Sequence, residues 1–200
     1  MTPIARLRVA SERVRAVAAA VEPSGVRHDD AEDVIGTLAT DDAIGFDPFP
    51  MLDLMQRSGA NFAVFGQVAG ILHGSVELTG DLDLLWDGAG TSVEMLAREL
   101  ERSSVAIRDE DGELQQDVRG ALKGRKVYFE GVGCAGDLCT PRLPWRSLDV
   151  VGILERKVST TEGGLTVPYV ALGDLIAMRR AVDRPKDHRR AAELQQVAAR

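Results

Sequence analysis

Along the first twenty-one positions Ile4, Leu7, Val14, Ala18 and Val21, with Ser11 in register, recur at alternating steps of three and four, and Arg6, Arg8, Arg13 and Arg15 fall between them. That period predicts an amphipathic helix. It stops short of the roughly three to four heptads a coiled coil needs, so the helix is expected to pack on its own domain. Residues 23–34, "PSGVRHDDAEDV", mix turn formers with acids and read as a linker or a solvated helix start, with no ligand cluster around His28.

From Phe46 the pattern changes to helices and strands in alternation. "PMLDLMQRSG" predicts a short helix closed by Gly59, "NFAVFG" a buried strand, "QVAGILHG" a helix and "DLDLLW" a second strand. Thr91 and Glu94 have the spacing of a capping box opening "SVEMLARELERS". "VAIR" and "KVYFEGV" predict strands, with a turn at "DEDGE" and a helical turn around "LQQDVRG". "CAGDLCT" predicts a further strand, "SLDVVGILERK" fits helix or strand, and "GLTVPYVAL" predicts a late strand. Two final helices, Leu172 to Val182 and Lys186 to Ala198, are separated by "DRP", with Pro185 starting the second. The expected fold class is α/β: a small mixed sheet with helices on one face. Residues 1–45 form an N-terminal helical extension and linker, and 46–200 the main domain.

Composition supports a globular chain. Of 200 residues 44% are hydrophobic and 28% charged, enough for a sizeable core. No apolar run approaches the roughly 18 residues of a membrane span, and the N-terminus has no uninterrupted apolar stretch for a signal peptide, so a cytoplasmic protein without membrane contact is expected. Cys134 and Cys139 stand five apart on a predicted strand, which turns them to opposite faces, so buried inert thiols are expected rather than a disulfide or a zinc site. A net charge of -7 disfavours coating nucleic acid by bulk attraction. Locally the sign reverses: "RRAVDRPKDHRR", Arg179 to Arg190, sets six basic residues against Asp183 and Asp187.

Candidate chemistry centres on "LTGDLDLLW". On a strand, Asp81 and Asp83 share a face while Leu82 and Leu84 take the buried one. Two carboxylates so close need a counter-charge, and magnesium at a phosphate-handling site supplies one, since it takes one or two carboxylates and uses substrate phosphates as further ligands. The bland alternative is a strand end with hydrated aspartates. The preceding strand, Gly66 and short helix favour the functional reading, because a helix N-terminus there presents backbone N–H groups to a phosphate.

Phe62 to Trp86, "FAVFGQVAGILHGSVELTGDLDLLW", resembles the core of the minimal nucleotidyltransferases, especially the AbiEii-like proteins of bacterial toxin and antitoxin systems. "VPYVALGDLIAMRRAVDRPKDHRRAAEL" is similar to that family's closing segment. The resemblance covers most of residues 46–196 and implies a polymerase-beta-like nucleotidyltransferase fold. It also implies Mg2+-dependent transfer of a nucleoside monophosphate from a nucleoside triphosphate to a hydroxyl of tRNA, a protein or a small molecule. By the same resemblance Gly66 is the phosphate-loop glycine, with Gln67 beside it, and Thr79 the motif threonine. Asp81 and Asp83 are metal carboxylates, and Asp137 is the third carboxylate, acting as the base that helps to deprotonate the acceptor or as a third metal ligand. Arg179, Arg184, Lys186 and Asp187 match the closing basic helix and turn, where Asp187 equally suits a helix first turn. Three positions depart from the family pattern. Gln67 replaces a second Gly or Ser, Glu77 an arginine, and Arg179 a lysine. Those departures suit the alternative reading, a catalytically degenerate copy acting by nucleotide or protein binding, with the N-terminal helix engaging a partner protein.

Other motifs are set aside. Gly131, Gly133 and Gly136 match G-x-G-x-x-G, but Pro141 and Pro144 follow where a helix is needed, so a glycine-rich turn between strands is expected. His73 reads as a packed or solvent-facing histidine. Arg119, Lys123, Arg125 and Lys126 make a second basic cluster that could face an acceptor.

Overall fold

The computed structural model describes residues 1–20, 38 and 43–199; the proposed linker at 23–34, with His28, lies outside the described residues. Helix α1 (Pro3–Ala18) starts at Thr2, whose hydroxyl accepts from the Ala5 N–H, with Pro3 in the first turn. Ile4, Leu7, Ser11, Val14 and Ala18 are buried, as the three-and-four spacing predicts, and Ala10 is buried with them. The apolar ones belong to the main core, α1 packs toward α3 (Gly66–His73), and Arg6 donates to the Leu72 carbonyl at 2.6 Å.

Helix α2 (Phe49–Ser58) ends at Gly59 in the left-handed conformation, and β1 (Phe62–Val64) leads into α3. β2 (Leu82–Trp86) follows, then α4 (Gly90–Arg102) and β3 (Ala106–Arg108). The short α5 (Val118–Ala121) precedes β4 (Lys126–Gly131) and β5 (Cys134–Cys139), and α6 (Val150–Glu155) resolves the ambiguous "SLDVVGILERK" as helix. The chain closes with β6 (Val158–Glu162), β7 (Leu165–Tyr169), α7 (Leu172–Val182) and α8 (Pro185–Ala198).

The protein is thus mixed α/β, with eight helices among the described residues and one seven-stranded sheet in the order β3-β4-β5-β2-β1-β7-β6. β2 sits at the centre, antiparallel to β1 and parallel to β5. Its apolar positions Leu82, Leu84, Leu85 and Trp86 are fully buried. No helix among the described residues is long and apolar enough to cross a membrane.

Two local expectations change. Thr91 does not cap α4: the helix begins at Gly90 behind Ala89, whose N–H donates to the Asp87 carboxylate, and Glu94 turns to Arg119 at 2.8 Å. The Asp87 turn outcompetes the capping box by starting the helix earlier. β6 is an added strand, because its sequence "VSTTE" is polar and mostly exposed and carries no apolar alternation. Its partner is dictated by Gly163 and Gly164, both at positive φ, which form the two-residue loop of a tight hairpin. The glycines at 131 and 133 likewise turn β4 into β5, as the rejected dinucleotide motif implied.

Candidate active site

The parallel pairing of β2 and β5 sets Asp83 directly opposite Asp137, and Asp81 precedes Asp83 by two residues on the same side. The Thr79 hydroxyl donates to the Asp81 carboxylate. Gly66 opens α3 at φ 61, and a Cβ there would lie 1.7 Å from Asp83 Oδ2, so backbone conformation and close approach both require glycine. Lys126 on β4 places Nζ 2.9 Å from Asp137 Oδ2 and 4.2 Å from the centre of the Tyr128 ring.

Across from the carboxylates stand the basic groups of α7 and α8. Asp187, 1% exposed, ties two of them: Arg179 donates to Oδ1 at 2.9 Å and Arg184 to Oδ2 at 2.7 Å. The residue therefore joins the two arginines, while Arg184 takes the N-cap position of α8 without a side-chain cap. Burial raises the Asp187 carboxyl, but the bonds from Arg184 and Arg179 outweigh it and hold the group below its ordinary range.

Gln67 and Glu77 have defined partners. The Gln67 amide donates to Ser75 Oγ and the Glu77 carbonyl, both at 2.9 Å, and its Oε1 accepts from Arg179 at 3.1 Å. The long side chain is thus tied back into the walls. Glu77 is bound by Arg190 at 2.7 Å, so its charge is met by a guanidinium that itself lines the cleft. Glu193 completes the clamp by accepting from Ser75 Oγ at 2.8 Å and the Val76 N–H at 2.9 Å. Helix α8 therefore fixes the segment leading into Thr79 and Asp81.

Gly66, Gln67, Thr79, Asp81, Asp83, Asp137, Arg179, Arg184, Lys186 and Asp187 all line a single cleft of about 210 Å³. Asp83 sits among like charges in it. Burial first, then Asp81 and Asp137, push its carboxyl well above the ordinary range, against partial relief from Arg179 and Lys126. Arg179 shows the converse: burial and Arg190 lower it, while Asp187 and Asp83 support its charge. Arg179 Nε is buried with no hydrogen-bond partner among the described residues.

These observations fit a divalent cation. Among the described residues, no group of three or more His, Cys, Asp or Glu side chains is gathered that would hold an ion alone. Magnesium needs less, because it keeps waters and takes one or two carboxylates with substrate phosphates. Asp81 and Asp83, both lining the cleft, would supply that carboxylate share.

Lys126, from the second basic cluster, and Arg190 also line the cleft. Arg190 was legible as part of the basic run, three residues beyond Asp187 on the same helix. The second basic cluster disperses: Arg119 pairs with Glu94 and Arg125 with Glu110, while Lys126 turns to Asp137. His73 packs edge-on to Tyr169, with Nε2 2.9 Å from the Val170 carbonyl, and burial lowers its pKa. Both cysteines are free and buried, and burial raises both thiols.

No protein-family model matches the chain, and no curated protein matches it.

Proposed function

We propose that the protein is a nucleotidyltransferase of the minimal, AbiEii-like type, moving a nucleoside monophosphate from a nucleoside triphosphate to an acceptor hydroxyl. The observation that carries this reading is the convergence of three carboxylates and a basic wall on one cleft. The polymerase-beta-like fold belongs to the same proposal, supported by a central β2 that carries Asp83, with Asp81 just before it, beside β5 with the third carboxylate.

In this mechanism Arg179, Arg184, Lys186 and Arg190 bind and orient the triphosphate. Arg179, held by Asp187 and Gln67, lines the cleft with its positive charge. Asp137 accepts the proton of the acceptor hydroxyl, and Lys126 holds that carboxylate in position. Asp81 and Asp83 would hold magnesium, which when bound supplies charge neutralisation to the phosphates and the leaving pyrophosphate. Gln67 and Glu77 keep the basic wall and the motif loop together. The acceptor is a hydroxyl of tRNA, of a protein or of a small molecule.

A second reading is a protein that binds nucleotide without turnover, and the Lys126 contact favours it, since the third carboxylate already has a cation. Incubation with α-labelled nucleoside triphosphates, magnesium and separate RNA, protein and small-molecule acceptor pools distinguishes the two. Transfer of label that vanishes in Asp137→Ala supports the enzyme. Tight nucleotide binding with no transfer to any pool supports the second reading.

A further inference from the structure

The phosphate chemistry leaves half of the cleft unused. Beyond Arg179 the same face of α7 presents Leu175, Met178 and Val182 at steps of three and four. Facing residues include Trp145 and Leu143, from the loop after β5, and Phe65, just before Gly66. Phe65 and Trp145 meet edge to face, with centroids 5.6 Å apart. Leu175 and Met178 are almost fully buried and can serve as floor, whereas Val182 is 37% exposed and Trp145 partly exposed, so they form the rim.

This apolar half is held in shape. Arg146, next to Trp145, pairs at 2.8 Å with Asp183, which follows Val182 and caps α7. One ion pair thus ties the loop carrying the indole to the helix end carrying the apolar stripe. The Trp145 indole N–H is buried with no acceptor among the described residues, so packing alone fixes the ring.

We propose that this half of the cleft seats the nucleobase of the bound nucleotide, with Trp145 as its aromatic anchor. The inference rests on the nucleotidyltransferase reading. Continuity commits the occupant: Arg179 belongs to both halves, so a ligand whose phosphates meet it places its other end along Met178, Val182 and Trp145. A flat aromatic base suits such a wall. Stacking supplies affinity with little choice among bases, because every base has a π-face. The site therefore accepts purine and pyrimidine triphosphates with similar affinity.

The test is binding of ATP, GTP, CTP and UTP to the full chain with magnesium, compared with inorganic tripolyphosphate, which has no base. Tryptophan fluorescence reports the seat directly, since the other tryptophan, Trp86, is fully buried. The proposal expects all four nucleotides to quench fluorescence and to bind at least about tenfold more tightly than tripolyphosphate. Trp145→Ala removes that advantage and leaves tripolyphosphate affinity unchanged, and Trp145→Phe restores most of it. Equal binding of tripolyphosphate and nucleotides keeps the phosphate site and overturns the base seat. Equal weakening of both ligands in Trp145→Ala also overturns it, since the residue then only supports the fold. Adenosine and uridine binding with quenching, and no response to tripolyphosphate, keeps the seat but removes the transfer reaction; no binding of any ligand removes both.

Discussion

Asp83 shows at a single residue how a site can be built against stability. Its carboxyl is pushed up by burial and by Asp81 and Asp137, so the folded chain holds a proton there more tightly than the unfolded chain does. Stability is then lost as pH rises from the ordinary carboxylate range through the folded value. Asp83→Asn removes that loss. Near neutral pH its melting temperature is expected to rise by roughly 2–4 °C, the shift that about 1 kcal/mol makes in a domain of this size, while nucleotide transfer disappears. A scan of melting temperature against pH for both proteins checks this, and a lower melting temperature for the variant contradicts it. His73 carries the opposite sign. Burial lowers its pKa, so the unfolded chain takes up the proton first and stability falls as pH drops below the ordinary histidine value of 6.5 toward the folded one. His73→Gln is expected to flatten that part of the stability profile. Asp81 and Asp83 were legible because their spacing puts both on one face. Arg190 gave less away: its role depends on Glu77, 113 residues earlier in the chain, and no local pattern records such a contact.

Among the elements, α3 and α8 carry the site. Gly66→Ala would place a methyl against Asp83 Oδ2 at positive φ, so a loss of about 1–3 kcal/mol is expected from backbone strain, with a further penalty from the collision. Chemical denaturation measures it; an unchanged midpoint would mean that α3 does not start against the carboxylate. Gln67→Leu takes the side-chain donor from the Glu77 carbonyl and one bond each from Ser75 and Arg179, which keep Glu193 and Asp187, and about 1–3 kcal/mol is expected to be lost with weaker nucleotide binding. Most elements follow from periodicity, including α1, β2, α7 and α8. β6 was hidden because an exposed edge strand lacks apolar alternation, and only its glycine pair announces the hairpin. The start of α4 was misplaced because the Asp87 turn acts before the Thr91 signal can.

For the whole molecule, the sheet order brings together segments far apart in sequence: Asp81 and Asp83 from the start of β2, Asp137 from β5, and the basic wall from α7, α8 and the turn between them. Composition points only to a globular chain, and the hydrophobic pattern to its α/β class. The resemblance to nucleotidyltransferases brought these residues into one expectation, and the cleft supports it through contacts that reach across the sheet. The central claim is that this cleft binds a magnesium nucleotide. Its most direct test is a thermal-shift titration of the intact protein with nucleoside triphosphate, with and without magnesium, repeated on Asp81→Ala. Magnesium-dependent stabilisation is predicted, approaching about 2.7 kcal/mol at one hundred times the dissociation constant, and it is lost in the variant. No shift in the intact protein at millimolar nucleotide with magnesium would contradict the account.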